Sequence, residues 1–244
     1  MNNVGTRERR QREFEDREEL ILDCARELIR DEGLLNLQMS RIAEKCEHAV
    51  GTLYKHFESK EDLILALVIQ GTQKHVELFE KAARWKANSR DRMFGITVAD
   101  MIFVRRNPDH YRIAQYALCE AVWGAATLER RQEFLKASKP VGESVVSIVD
   151  AAVKAGDLEL NGLRPEQITT GLWSITVGMH NLVHAKGVLE DWAITEPYRL
   201  MCRYMQIMLN GFGWQPLADP SDGKTMDEKI EQLCREVFDD LPCT

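Results

Sequence analysis

The chain has no CxxC pair and no Cys/His spacing that would build a zinc site, although six cysteines are spread through its 244 residues. Cys24, Cys46, Cys119, Cys202, Cys234 and Cys243 therefore read as reduced, mostly buried thiols. No apolar run reaches the roughly 18 residues that a membrane span needs. The polar, charged N-terminus has none of the character of a signal peptide. A cytoplasmic protein with no membrane partner is expected. No Gly-rich phosphate loop, nucleophile elbow or paired-carboxylate motif occurs, so an enzyme is not expected, and neither a cofactor nor a metal. Strand-like alternation is also lacking, as are internal repeats and low-complexity blocks. The fold class read from these absences is all-α.

What is present is an ordinary globular mixture: 44% hydrophobic and 29% charged residues, enough to build a real core. The net charge of −7 argues against a sequence-blind coat for nucleic acid. It leaves room for a small reading head on an acidic body, because phosphate contacts need only a few Lys, Arg and backbone groups. Residues 1–16 interleave Arg7, Arg9, Arg10 and Arg12 with Glu8, Glu13 and Glu15 and offer little to bury. They read as a flexible basic/acidic arm that could reach a minor groove beside a main contact, or remain a solvated tail.

From Arg17 the pattern turns helical, with Leu20, Ile21, Cys24, Ala25, Leu28 and Ile29 forming one stripe and Gly33 as its stop. Ser40 reads as the N-cap of a short helix. Residues 40–57, SRIAEKCEHAVGTLYKHF, read as a helix-turn-helix. Ile42 and Ala43 form the inner face of the first helix, Leu53 and Phe57 that of the second, and Cys46 to Ala49 the turn. The second helix then offers Val50, Gly51, Thr52, Tyr54, Lys55 and His56 outward, with a length suited to the major groove.

The block from Leu20 to Leu65 resembles the TetR family of bacterial transcriptional regulators. The resemblance is carried by Ala25, Leu28 and Gly33, by Ile42-Ala43-Glu44, and above all by Gly51-Thr52-Leu53-Tyr54-Lys55-His56-Phe57 followed by Ser59-Lys60-Glu61-Asp62-Leu63. It implies that Thr52, Tyr54, His56 and Lys60 touch phosphates or bases. With Ser40, Val50, Gly51 and Lys55 they make up the candidate DNA-binding set. The chain departs from the family pattern in the turn. Glu47 stands where Gly is usual, His48 where a buried Val is usual, Ala49 where a polar helix starter is usual, and Val50 where a Lys or Arg is common. If the backbone at Glu47 needs φ > 0, Glu costs roughly 1 kcal/mol relative to Gly. Binding is then expected to depend heavily on salt and on the basic arm.

Beyond Ser59 helix follows helix, at about 59–85, 90–106, 109–124, 127–137, 141–155, 165–188, 195–212 and 225–240. The expected organisation is an arm (1–16), a three-helix DNA-binding domain (17–62), a larger helical ligand-binding and dimerisation domain (63–215), and a linker with a C-terminal helix (216–244). Met101, Phe103, Tyr111, Tyr116, Trp123 and Phe134 are the candidate ligand-binding residues, suited to a small apolar or aromatic effector. The last two long helices are apolar on more than one side and so need a partner, which a homodimer supplies. Leu172, Trp173, Ile175, Met201, Met205 and Met208 are the candidate dimer residues. His180 and His184, four apart on one helix face, read as polar contacts of that interface rather than as metal ligands. The resemblance implies a repressor that binds a palindromic operator in double-stranded DNA and is released by a small-molecule effector. The competing reading is a helical sensor or interaction protein with a weakened DNA-reading head.

Overall fold

The computed structural model describes residues 3–239, which form twelve α-helices and one 3-10 turn, Leu34–Asn36. In chain order the helices are α1 (Asn3–Glu32), α2 (Met39–Lys45), α3 (Val50–Leu53), α4 (Lys60–Ala83), α5 (Ser89–Arg106) and α6 (Pro108–Ala117). They continue with α7 (Glu120–Ala125), α8 (Leu128–Ala155), α9 (Pro165–His184), α10 (Val188–Asp191), α11 (Pro197–Gly211) and α12 (Gly223–Glu236). No strand occurs among the described residues, and no helix there is long and apolar enough to cross a membrane.

Three boundaries differ from those read in the sequence. The arm is not irregular: α1 is helical from Asn3, residues 1 and 2 lying outside the described part. The stretch 109–124 is interrupted, because Cys119 turns extended (ψ 149) and starts α7 anew. Conversely, 127–137 and 141–155 are one helix, α8, that runs through Pro140. A proline within a helix removes one backbone donor. The helix nonetheless continues, and Ser144 Oγ donates to the Pro140 carbonyl at 2.9 Å.

The chain divides into two compact units. The first comprises residues 1–71 and 108–137, more than the expected 17–62. Its core is built from Ile21, Ala25, Leu28, Ile42, Ala43, Leu53, Phe57 and Leu63 to Leu67, with Ile113, Ala117, Val122 and Phe134 added from α6 to α8. Asp62 pins the start of α4 within this unit. Its Oδ1 accepts from the backbone N–H of Thr127 at 2.8 Å and from the Thr127 hydroxyl at 3.0 Å. Both bonds satisfy a carboxylate that is almost wholly buried, which would be costly without them.

The second unit comprises residues 72–107 and 138–244. Its centre is α5, buried from Met93 to Val104. Asn88 caps that helix by accepting from the Asp91 N–H at 2.7 Å. Arg90 is buried as well, donating to the Trp214 carbonyl at 2.6 Å and to Gln206 Oε1 at 2.7 Å. Burial lowers its pKa from the ordinary arginine value. The C-terminal helix α12 is part of this core. Ile230 and Leu233 are buried, and Leu233 lies so near Gly95 that a Cβ there would sit 3.1 Å from its Cδ2. Cys24, Cys46, Cys119 and Cys202 carry free thiols. Cys234 is disulfide-bonded, which corrects the reading of reduced thiols throughout, and Cys243 lies outside the described residues.

Candidate nucleic-acid interface

Within the first unit, α1 and α2 are held by two ion pairs. Arg41 reaches Glu32 at 2.7 Å and Lys45 reaches Glu27 at 2.9 Å. The latter contact lowers the Glu27 pKa and raises that of Lys45. Gln38, not Ser40, is the N-cap of α2, and it makes no side-chain capping bond. Ser40 is exposed one residue inside the helix. The turn then brings Glu47 to φ 54, the left-handed conformation that the departure from glycine raised in the sequence. The His48 N–H donates to the Ala43 carbonyl at 2.9 Å, closing the turn against α2. Its imidazole Nε2 is buried with no hydrogen-bond partner among the described residues.

Ala49, extended and without a capping side chain, starts α3, which has four residues and passes into turns up to His56. Ile42, Ala43, Leu53 and Phe57 are all at most 1% exposed, so the inner faces are those read from the spacing. Outward stand Val50, Gly51, Tyr54 and Lys55, with Tyr54 51% exposed, while Thr52 is half-buried. Lys60, half-buried, opens α4, where Ser59 Oγ accepts from the Asp62 N–H at 3.0 Å.

His56 departs from the expectation. Its side chain is 1% exposed, and its ring lies stacked on Phe14 with centroids 3.9 Å apart. Its Nδ1 is 3.7 Å from Glu18 Oε2. Desolvation by burial holds the imidazolium below the ordinary pKa of 6.5, against the attraction of Glu18 and together with the repulsion of Arg17 and His48. The outward, DNA-facing placement of His56 is therefore corrected: the chain turns inward after Lys55, and the ring is covered from α1. Glu18 and Phe57 are tied in turn to Arg130, whose guanidinium is 3.9 Å from Glu18 and 5.5 Å above the Phe57 ring. The one sequence signal for this cluster was Phe14 itself, a single aromatic residue in a charged arm.

The candidate effector residues are divided between the two units. Met101 and Phe103 are buried in the second unit, Phe103 stacked on His75 with centroids 4.2 Å apart. Tyr111, Tyr116, Trp123 and Phe134 belong to the first unit, where Trp123 meets Phe134 edge to face at 5.5 Å. Among the dimer candidates, Leu172, Met201 and Met205 are core residues of the second unit rather than surface ones. So is His180, whose Nε2 donates to Asp100 Oδ2 at 3.1 Å, while His75 Nε2 donates to Oδ1 at 3.0 Å. His184 is half-buried, its Nδ1 2.8 Å from the His180 carbonyl. Burial alone would raise the Asp100 pKa. The bonds from His180 and His75 outweigh it and hold the carboxylate well below its usual range. Trp173 is 59% exposed. Ile175 and Met208 line an open apolar groove of about 510 Å³ with Tyr204, Ile207, Gly211 and Phe212. The core positions were misread because α9 and α11 are apolar on two sides, and periodicity does not say which side faces inward.

Residues 21–67 match the family described as bacterial regulatory proteins, tetR family. The Fatty acid metabolism regulator protein of Bacillus subtilis is 32% identical over 73 residues, 30% of this chain and 38% of that protein. The chain thus matches well under half the length of that relative. Among solved structures, a bacterial regulatory protein in the tetR family from Rhodococcus RHA1 superposes with a TM-score of 0.61 at 19% identity, covering 83% of this chain and 98% of that one. The regulator FadR from Bacillus subtilis, in complex with stearoyl-CoA, superposes with a TM-score of 0.59 at 19% identity, covering 79% of this chain and 97% of that one.

Proposed function

We propose that this chain, whose N-terminal domain is that of the TetR family, is a ligand-responsive regulator of transcription. In this reading it binds a palindromic operator in double-stranded DNA as a homodimer, in the cytoplasm, and acts as a repressor released by a small apolar or aromatic molecule. The observation that carries the reading is the placement of Val50, Gly51, Tyr54 and Lys55. They stand exposed on α3 and on the turn that follows it, and the inner side is anchored by Leu53 and Phe57. Such a helix can enter a major groove, with Lys55 and the Tyr54 hydroxyl as donors and Val50 against a thymine methyl. Ser40 and Lys60 flank it as candidate phosphate contacts.

The dimer is supported by the open apolar groove on α9 and α11, with Trp173 exposed on α9. A twofold pairing there would cover a face that water otherwise wets, and would present two reading heads to two half-sites. An apolar effector is in keeping with the FadR structure, which holds a ligand with a long acyl chain. Release needs only that the effector bind better to one of two populated states of the dimer.

Three features favour the competing reading of a helical sensor with a weakened head: the strained Glu47, the unpartnered His48 Nε2 and the uncapped four-residue α3. A gel shift with the protein's own upstream DNA separates the two. A salt-sensitive shift supports the regulator; no shift in any ligand state supports the sensor.

A further inference from the structure

Residues 7–17 contain five arginines and four carboxylates, so their net charge says little about a partner. Their placement on α1 says more. Phe14 is fixed against His56, the residue that directly follows the exposed Tyr54 and Lys55. Arg17, three residues on, falls on the same face of the helix by spacing. At 3.6 residues per turn, positions 7, 10, 14 and 17 fall within about 80° of helix surface. Arg7 and Arg10 therefore prolong the Phe14 face toward the N-terminus, Arg7 about 10 Å beyond Phe14 at 1.5 Å per residue. Glu8, Glu13, Glu15 and Asp16 project from the flanks and back of the helix, as do Arg9 and Arg12. Arg9 is paired with Glu13 at 3.1 Å. Arg7 and Arg10 are exposed and form no ion pair with any described residue.

We infer that the first turns of α1 are a second, rigid contact to duplex DNA, in which Arg7 and Arg10 bind backbone phosphates beside the groove that α3 enters. The inference rests on the regulator reading and adds to it the partner of a segment that the family match, beginning at residue 21, does not reach. Two things select duplex DNA as the occupant. The basic stripe is continuous with the exposed face of α3 through the Phe14–His56 stack. Its charge is also complementary to phosphate on the N-terminal side of Phe14, where Arg7 and Arg10 lie; Glu18, on the same face beyond Phe14, is engaged by His56 and Arg130. A helix held at Phe14 does not thread a minor groove as an extended arm would. Its arginines meet phosphates and carry no sequence information.

The test is a titration of the full-length protein with its upstream duplex and with a scrambled duplex, across a range of salt. The variants are Arg7→Gln/Arg10→Gln and, as an equal change of charge on the other side, Arg9→Gln/Arg12→Gln. Glutamine keeps the helix propensity of arginine, and circular dichroism checks the helix content. The R7Q/R10Q protein is expected to bind both duplexes more weakly by the same factor. The slope of log affinity against log salt should fall by about 0.9 for each arginine lost from a protomer. The R9Q/R12Q protein should match wild type. Phe14→Ala, which keeps every arginine but removes the staple, should weaken both duplexes in the same direction. Equal losses in the two double variants overturn the face assignment, and no loss in R7Q/R10Q overturns the contact. A loss confined to the upstream duplex overturns the phosphate assignment in favour of base reading. Wild type without salt-sensitive binding sinks the regulator reading, and this inference with it.

Discussion

The ring of Phe14 lies on the ring of His56, with 24° between the planes, so a residue of the N-terminal extension closes over the last residue of the reading loop. The contact makes stability of the first unit depend on both partners. Phe14→Ala is expected to lower stability by about 1–2 kcal/mol, combining lost apolar burial with the lost ring pair. Chemical unfolding of the full chain measures it. The wild-type unit should also weaken in mild acid. Burial keeps His56 neutral in the folded state below its ordinary value of 6.5, whereas the unfolded chain takes up the proton there. Stability is thus present above that pH and is lost as pH falls through it toward the lower folded value. An NMR titration of the His56 ring would show its midpoint below 6.5.

Asp100 holds α4, α5 and α9 together through His75 and His180. Asp100→Ala leaves two imidazole N–H groups without their acceptor, and should cost about 3 kcal/mol, as breaking a buried charged contact does. Since the folded pKa of Asp100 is depressed, its contribution is full at neutral pH. It fades only as pH falls below 3.8 toward the folded value. The difference between wild type and D100A in unfolding free energy should therefore be flat at neutral pH and shrink in strong acid.

Glu47 sits at φ 54, where a Cβ is unfavourable. Glu47→Gly should stabilise the protein by up to about 1 kcal/mol, less the extra chain entropy that glycine brings to the unfolded state. Glu47→Ala should give no such gain. Thermal unfolding of the two variants side by side distinguishes relief of the backbone from removal of the charge.

Ile207 is 48% exposed and lines the groove of α9 and α11. Placing a charge there with Ile207→Glu should convert the proposed homodimer to monomer in sedimentation velocity without loss of helix content. DNA affinity should fall by about 10-fold or more, because the second reading head no longer adds its binding.

Much of this was legible in the sequence where one period governs burial. Ile42, Ala43, Leu53 and Phe57 declared the inner faces of the reading head, and the family resemblance, in which Gly is usual where Glu47 stands, raised the positive φ found there. The outward residues Val50, Gly51, Tyr54 and Lys55 followed from the same register. His56 did not, because its burial depends on Phe14, 42 positions earlier in the chain. The clustering of Asp100 with His75 and His180 is likewise invisible to local patterning: each histidine alone is an ordinary helix residue. Pro140 misled in the other direction, since local propensity marks a stop and the helix runs on.

The central claim is that the exposed edge of α3 and the turn after it reads duplex DNA, and fluorescence anisotropy with labelled upstream and scrambled duplexes tests it most directly. Wild type should prefer the upstream duplex and lose affinity steeply as salt rises. The Tyr54→Ala/Lys55→Ala protein, with its fold intact by circular dichroism, should lose about 10-fold or more on the upstream duplex and most of its preference. Equal affinity of wild type for both duplexes, or an unchanged preference in the double variant, would contradict the account.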